Sequence, residues 1–361
     1  MSTTMQYVRL GNSGLKVSKI ILGCMSYGSA EWQPWVLTKE QGIEHIKAAY
    51  DAGINTFDTA DTYSNGLSEV ILGEAIRTHN IPREKIVVLT KVYGVVGDTP
   101  NVSLFGDPKA DSEGYVNRHG LSRKHIFDAI KGSLERLQLD YIDVLQCHRF
   151  DYQTPIAETM QALHDVVKAG YVRYIGMSSC HAYQFHAMQN YAIQNNLTPF
   201  ISMQNHYNLV YREEEREMFP TLKMFGVGSM PWSPLARGKL TRPMSEQKAT
   251  RRGEVDKVLS RYAGSESTDA IVDRHVILIA DRLYQVDILA KKKGISMAQL
   301  SIAWLLSKEG VTAPIVGTTS VENLTQLIVA VQLGAIHITL TEEDKKFLEE
   351  PYQPLPIVGH S

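Results

Sequence analysis

Short runs of apolar, often β-branched residues alternate along this chain with longer segments in which apolar residues recur at helical spacing. Eight such pairs occur, and the predicted strands are 20–22, 54–57, 86–89, 141–145, 172–177, 201–203, 227–232 and 313–316. Eight strand-then-helix units favour an α/β fold of the (β/α)8 TIM barrel type over an open doubly wound sheet. No G-x-G-x-x-G follows the first strand, which also counts against the open sheet.

We expect a single domain over residues 1–361 with additions to the barrel. Residues 7–18 are typical of a β-hairpin around a glycine turn, and we predict that this hairpin closes the bottom of the barrel. Segments 93–122 and 236–273 are too long for simple connections, so we predict that both are lid loops at the barrel mouth. Residues 345–361 form a C-terminal tail, and Pro351, Pro354 and Pro356 predict that residues 351–361 are extended rather than helical.

Composition and charge exclude several classes of protein. The 361 residues are 43% hydrophobic and 21% charged, which is ordinary for a globule with a sizeable core. A formal net charge of −2 provides no basic field to attract nucleic acid or anionic lipid. No run approaches the roughly 18 apolar residues that a membrane span requires. Three scattered cysteines predict reduced thiols in a cytoplasmic compartment rather than disulfides or a metal site.

Reactive side chains lie where three of the predicted strands end. Asp58, Lys91 and His148 each follow an apolar run, and Tyr63 lies five residues after Asp58. The C-terminal ends of barrel strands meet at one mouth, so we expect these four residues to converge there. A tyrosine has a pKa of about 10 and donates protons poorly, but a nearby ammonium lowers that pKa, and a carboxylate keeps the ammonium charged. A histidine beside the tyrosine can hydrogen-bond a carbonyl oxygen that lies next to the phenol.

The stretch 57–63 resembles the aspartate-to-tyrosine motif of the aldo-keto reductases, and Lys91 and His148 lie where that family has its lysine and histidine. The similarity extends from the hairpin through Gly317. The segment 232–238 and the insertion after it make the chain most similar to the aryl-alcohol dehydrogenase and versiconal hemiacetal acetate reductase-like members of that family.

This resemblance implies a catalytic role for each of the four residues. Tyr63 would be the general acid, Lys91 would lower its pKa, Asp58 would orient the lysine, and His148 would position the carbonyl group. The family uses a nicotinamide to deliver hydride and contains no metal. NADPH is therefore the expected cofactor, with NADH as an alternative.

The resemblance also assigns residues that would bind the cofactor. Ser178, Ser179 and Gln204 would contact the carboxamide, although the family usually has asparagine at the position of Ser179, and Trp232 would stack on the nicotinamide. The pyrophosphate and adenosine phosphate would be bound by Ser233, Leu235, Arg237, Gly317, Thr318, Thr319, Ser320 and Asn323. The last five residues follow the eighth strand and open a helix, which is where barrels commonly bind phosphate. They include no lysine or arginine that would select the 2′-phosphate of NADPH.

Aromatic residues that follow strand ends or lie in mouth loops form the predicted substrate pocket, which comprises Tyr27, Trp32, Trp35, Tyr93 and Tyr207. Such a set favours a bulky apolar or aryl carbonyl compound. The primary hypothesis is therefore an NADPH-dependent carbonyl reductase that converts aldehydes or ketones to alcohols reversibly.

Two alternatives remain at this stage. The first is a nucleotide-sensing regulatory subunit similar to the β-subunits of potassium channels. The second is a lyase or isomerase in which Lys91 forms a Schiff base, although a carboxylate partner favours a charged, non-nucleophilic lysine. The sequence predicts no particular oligomeric state.

Overall fold

The computed structural model describes residues 5–243, 246, 255, 282–330, 338–357 and 359–360. Most of the predicted second lid loop, beyond residue 243, therefore lies outside the described residues. So do residues 1–4 of the predicted domain and residues 358 and 361 of the predicted tail.

Ten strands are present in the described part of the chain. They are β1 (Tyr7–Arg9), β2 (Lys16–Ser18), β3 (Ile21–Gly23), β4 (Thr56–Asp58), β5 (Val87–Val92), β6 (Ile142–Cys147), β7 (Val172–Ser178), β8 (Phe200–Gln204), β9 (Gly228–Ser229) and β10 (Ile315–Val316). The last eight pair in parallel in the order β10-β3-β4-β5-β6-β7-β8-β9. The predicted eight-stranded α/β sheet is thus confirmed.

The two edges of this sheet are joined by hydrogen bonds. The amide of Thr312 donates to the carbonyl of Ser229 at 2.9 Å, and the amide of Ile315 donates to the carbonyl of Pro231 at 2.9 Å. These bonds connect the segment of β10 with that of β9, so the curled sheet is consistent with a (β/α)8 barrel.

Helices follow the strands and cover the sheet. They are α1 (Lys39–Asp51), α2 (Leu67–Thr78), α3 (Arg123–Leu137), α4 (Ile156–Lys168), α5 (Ala182–Gln194), α6 (Met218–Phe225), α7 (Met297–Leu306), α8 (Val321–Ala330) and α9 (Glu342–Glu349). Residues 282–293 are also helical. Local sequence sets several helix starts. The hydroxyls of Ser122 and Ser296 cap α3 and α7, and Thr38 forms a capping box with Gln41 at the start of α1.

The N-terminal strands β1 and β2 form an antiparallel pair beside the strand starts of the sheet. The amide of Asn12 in their turn donates to the carbonyl of Gly226 at 2.7 Å, just before β9 begins. Gly11 in the same turn has φ +58°, and a Cβ there would lie 2.6 Å from the backbone of Gly226. Leu10 and Val17 are buried in an apolar cluster with residues of β3 and β5.

The loop 93–122, which follows β5, consists of turns and bends without a helix or strand. Val95, Ala110 and Tyr115 form a small apolar cluster of its own. The loop therefore has a defined structure and is not simply a long connection.

The C-terminal tail is held by buried polar groups. Arg282 is buried and donates to the carbonyl of Val210 at 2.8 Å and to that of Gln353 at 2.9 Å. Glu213 accepts from the amide of Leu355 at 2.9 Å. The predicted tail begins too early, because residues 345–349 belong to α9, but residues 352–357 contain no helix, as their prolines predict. Among the described residues, no helix has the length and hydropathy needed to cross a membrane.

Candidate active site

A buried lysine links two of the predicted site residues at the ends of neighbouring strands. Asp58 is the last residue of β4, and Lys91 lies near the end of β5. The ammonium of Lys91 donates to Asp58 Oδ2 at 2.6 Å, to the carbonyl of Thr59 at 2.8 Å and to the hydroxyl of Tyr63 at 3.2 Å. The structure therefore brings together Asp58, Lys91 and Tyr63, three of the four predicted catalytic residues.

Two glutamine amides donate to the other oxygen of Asp58. Gln204 Nε2 donates to Asp58 Oδ1 at 2.8 Å, and Gln146 Nε2 donates to the same atom at 3.0 Å. Gln204 was predicted to contact a carboxamide, and in the structure its Nε2 atom donates to Asp58. Gln146 was missed, although it lies two residues before His148, and strand alternation places residues at this spacing on the same face.

Opposing effects act on the pKa of Lys91. Burial favours loss of the proton, but the charge of Asp58, with the hydrogen bonds to Asp58 and Tyr63, leaves the pKa of Lys91 raised above its ordinary value. Lys91 is therefore an ammonium at neutral pH. A charged lysine is not a nucleophile, so this arrangement argues against the Schiff-base alternative.

The pKa of Tyr63 differs in direction from the prediction. Burial raises the pKa of the Tyr63 phenol, and the opposing effect of the Lys91 ammonium does not cancel that increase. Contrary to the prediction, the pKa of Tyr63 is thus not lowered in the protein alone, because removal of the hydroxyl from water has a larger effect than the ammonium. At neutral pH the phenol carries its proton.

His148 lies beside the phenol as a neutral ring. Its ring centroid is 5.7 Å from that of Tyr63, in an edge-on arrangement. Burial, with the charges of Arg149 and Lys91, lowers the pKa of His148 well below its ordinary value. Its Nδ1 is buried without a hydrogen-bond partner among the described residues. The protonated phenol of Tyr63 and the neutral imidazole of His148 therefore lie next to each other.

Trp232 is held by two neighbours. Its indole nitrogen donates to the hydroxyl of Ser179 at 3.0 Å, and the ring of His206 stacks on it with centroids 4.2 Å apart and planes inclined by 11°. Ser179 was predicted to contact the carboxamide, yet its hydroxyl accepts from this indole. Ser178 is buried at the end of β7, opposite Gln204 in the register of the sheet.

The segments predicted to bind phosphates follow adjacent strands, because β9 and β10 are joined as described above. In the first, the carbonyl of Leu235 accepts from the amide of Gly238 at 2.9 Å, and Ser233 and Arg237 have φ of +51° and +55°. This segment is therefore a tight turn with irregular backbone.

In the second segment, two predicted phosphate ligands are used within the loop. Thr318 Oγ1 accepts from the amide of Ser320 at 3.2 Å, and Ser320 Oγ accepts from the amide of Asn323 at 3.2 Å, where it caps α8. Gly317 and Thr319 are exposed at the same helix start.

The five predicted pocket aromatics differ in their exposure and in their contacts. The ring of Trp32 is 6.2 Å from that of Tyr63, and Tyr93 is half-buried at the start of the first lid loop. Trp35 is 4% exposed and presents little surface to a substrate.

Tyr27 and Tyr207 do not fit the prediction. Tyr27 is fully buried and packs edge-on against His45 of α1. Tyr207 donates to Glu215 and stacks against Trp304 of α7, with centroids 5.4 Å apart. Both rings are buried and pack against residues of helices, so neither offers a surface to a substrate.

Sequence prediction missed an aromatic residue that the first lid loop brings to the site. The ring of Phe105 lies 4.9 Å from that of His148, and the guanidinium of Arg149 lies 5.3 Å from the Phe105 ring. No strand end marks Phe105, so its position depends on how the loop is folded.

Comparison with known proteins identifies the family of this chain. A family model described as the aldo/keto reductase family matches residues 19–350. Versiconal hemiacetal acetate reductase of Aspergillus parasiticus is 50% identical over 357 residues, which cover 98% of this chain and 98% of that protein. A protein of Schizosaccharomyces pombe named as an aryl-alcohol dehydrogenase is 49% identical over 361 residues, or 98% of this chain and 97% of that protein. The chain therefore belongs to the aldo/keto reductase family and is an oxidoreductase, as its resemblance to that family predicts.

Proposed function

We propose that this protein is an NADPH-dependent reductase that converts aldehydes or ketones to alcohols reversibly, with Tyr63 as the proton donor. The observation that supports this proposal best is the position of the Tyr63 hydroxyl, 3.2 Å from the Lys91 ammonium. Lys91 is itself held 2.6 Å from Asp58. A neutral His148 lies beside the same phenol.

Several features fit a nicotinamide dinucleotide. Trp232 is only partly buried, and its edge and one face are already held by Ser179 and His206. The exposed Gly317 and Thr319 lie at the start of α8, where a helix favours an anionic group. The bound nicotinamide would supply a hydride to the carbonyl carbon.

The protein residues would stabilise the charge that develops on the carbonyl oxygen. The Tyr63 hydroxyl and a nitrogen of His148 would both hydrogen-bond that oxygen, and Tyr63 would then transfer its proton to it. The Lys91 ammonium would stabilise the resulting phenolate, and Asp58 would keep Lys91 charged. Loss of one such donor commonly costs about 3 kcal/mol in the transition state.

Selectivity for NADPH is proposed from the charges of the segment after β9. Arg237 and Lys239 are both half-buried there. Burial lowers the pKa of Lys239, but lysine begins from a high value and an approaching phosphate would favour its charged form. A basic group near the adenosine end would compensate for the hydroxyl-rich segment 317–320.

The names of the relatives support a substrate class. One relative is named as a reductase of versiconal hemiacetal acetate and another as an aryl-alcohol dehydrogenase. We propose an aromatic aldehyde, an aromatic ketone or the corresponding alcohol as the substrate of this chain, in keeping with the aromatic side chains around Tyr63.

The substitution Tyr63→Phe tests the proposed acid. Reduction of aryl aldehydes with NADPH should be abolished, whereas NADPH binding, followed by cofactor fluorescence in parallel with NADH, should remain close to that of the wild type. Tyr191→Phe on the outer helix α5 is the control and should change neither. Turnover retained in Tyr63→Phe would reject Tyr63 as the donor. Tight nucleotide binding by the wild type with negligible turnover of a panel of aldehydes would instead favour the regulatory subunit.

A further inference from the structure

A single side chain ties the first lid loop to the turn that carries Tyr63. Asn65 Oδ1 accepts from the amide of Gly97 at 2.8 Å. Its Nδ2 group lies within hydrogen-bond distance of three loop carbonyls, those of Thr99 at 3.0 Å, Pro100 at 3.1 Å and Val102 at 2.9 Å. The position of this loop is therefore coupled to a residue two places after Tyr63.

The backbone of Asn65 supports this role. Asn65 has φ +50° and ψ +50°, and Ser64 before it has φ +49°. Two consecutive left-handed residues are uncommon outside glycine, and asparagine tolerates this conformation better than most residues. The turn thus directs the Asn65 carboxamide into the loop.

The docked loop places Phe105 over the site. The Phe105 ring lies 4.9 Å from His148 and 5.7 Å from Tyr93. A Cβ on Gly94 would lie 2.5 Å from Phe105 Cδ2, so only a glycine at position 94 permits this approach. Phe105 nevertheless remains 41% exposed, so packing within the protein does not account for the whole ring.

Four rings then contact one another in succession, in the order Trp32, Tyr63, His148 and Phe105. Successive centroids are 6.2 Å, 5.7 Å and 4.9 Å apart. The two inner rings are the proposed donors to the carbonyl oxygen, so a substituent on that carbonyl would lie near one of the two outer rings. Aromatic surfaces recognise planar aromatic groups through stacked or edge-on contacts.

We propose that Phe105 contacts the substrate and determines specificity for aryl carbonyl compounds, and that Asn65 is a positioning residue that holds Phe105 there. This inference rests on the proposed reductase function and extends it to residues that neither strand ends nor family motifs mark. It assigns aryl recognition to the first lid loop.

The first test compares two aldehydes, benzaldehyde and propanal, with saturating NADPH. Phe105→Ala should raise KM for benzaldehyde about tenfold, since an aromatic contact of this kind contributes both area and ring-ring attraction, and should leave KM for propanal within about twofold. Val116→Ala is the matched control, because Val116 is an exposed apolar residue of the same loop. Equal effects of Phe105→Ala on both aldehydes would overturn the role of Phe105.

The second test addresses Asn65 through selectivity and hydrogen exchange. Asn65→Gly removes the carboxamide at a backbone conformation that glycine adopts freely, and Asn80→Gly is the control, since Asn80 is an exposed residue with φ +48°. Asn65→Gly should reproduce the selective rise in KM for benzaldehyde and should accelerate exchange of the Gly97 amide, whereas Asn80→Gly should do neither. Unchanged exchange at Gly97 would overturn the role of Asn65.

The double variant separates coupled from independent effects. If Asn65 acts through Phe105, Asn65→Gly together with Phe105→Ala should raise KM for benzaldehyde little more than Phe105→Ala alone. Fully multiplicative effects would contradict this coupling. Failure of the wild type to reduce either aldehyde would refute the reductase function itself, whereas turnover with unaltered selectivity in the variants would refute only this inference.

Discussion

The indole nitrogen of Trp232 donates a hydrogen bond to the hydroxyl of Ser179, 3.0 Å away. His206 stacks on one face of the same indole. An aromatic ring held by its edge and one face can stack a planar ligand only on its other face. The orientation of Trp232 is thus set by the protein before a cofactor arrives, which reduces the entropy lost on binding.

We predict that Ser179→Ala weakens NADPH binding about fivefold, since one hydrogen bond that orients the indole contributes about 1 kcal/mol. Fluorescence titration of NADPH measures this change. Ser179→Asn restores an acceptor at this position and should recover much of the affinity. An unchanged affinity in Ser179→Ala would show that the stacking on His206 is sufficient.

The ion pair of Lys91 with Asp58 leads to a prediction on stability and activity together. Lys91→Met leaves a buried carboxylate without its counter-charge, so the free energy of unfolding should fall by about 3 to 5 kcal/mol. Carbonyl reduction should fall at least about 100-fold, because no ammonium stabilises the phenolate. Denaturant unfolding and steady-state turnover measure the two effects.

The double variant Asp58→Asn, Lys91→Met separates these two effects. Removal of both charges should restore most of the stability, since the amides of Gln146 and Gln204 can still donate to the oxygen at position 58. Activity should remain lost. A double variant as unstable as Lys91→Met would show that the charge of Asp58 is not the source of the destabilisation.

The pH dependence follows from the direction of the Tyr63 shift. Burial raises the pKa of Tyr63 above its ordinary value, so the phenol should remain protonated well beyond neutral pH. Carbonyl reduction needs this protonated form, and kcat/KM for reduction should therefore stay level from about pH 7 to about pH 9 and fall only above the ordinary tyrosine pKa of about 10. Alcohol oxidation needs the phenolate and should accelerate as pH rises over the same interval.

Steady-state rates in both directions across this interval check the prediction. A reductive kcat/KM that already falls between about pH 7 and about pH 8, with binding unchanged, would show that the bound cofactor reverses the direction of the shift.

Arg282 provides a prediction on the C-terminal tail. Arg282→Met removes the donors to the carbonyls of Val210 and Gln353, so we expect a loss of about 1 to 3 kcal/mol in the free energy of unfolding and faster exchange of the Leu355 amide. Lys223→Met is the control. It removes an exposed ion pair with Glu309, which should leave stability nearly unchanged because solvent screens the two charges. Equal effects of the two substitutions would contradict a specific role for Arg282.

The eight-stranded parallel sheet was predictable from sequence because its signal is repeated eight times and each repeat is local. Asp58 and Lys91 were also predictable, since a charged residue at the end of a buried strand is a clear local signal. Gln146 was harder to predict. It lies opposite Lys91 in the register between β5 and β6, but a neutral amide within a strand gives a weaker signal.

The side chains of the loops were not predictable in the same way. Tyr207 was placed in the pocket because it follows β8, whereas its hydroxyl bonds Glu215 and its ring packs on α7. Phe105 reaches the site only because the Asn65 carboxamide holds the loop and Gly94 leaves room for the ring. Such positions depend on contacts between distant segments, for which a single sequence carries no periodic signal.

Asp58 accepts hydrogen bonds from three strands other than its own, through Lys91, Gln146 and Gln204. The carboxylate that keeps the lysine charged thus also links β4 to β5, β6 and β8 through side-chain hydrogen bonds. Substitutions at positions 63 and 148 that alter the reaction should therefore cost less stability than substitutions at position 58. A change at position 58 would also remove contacts between strands.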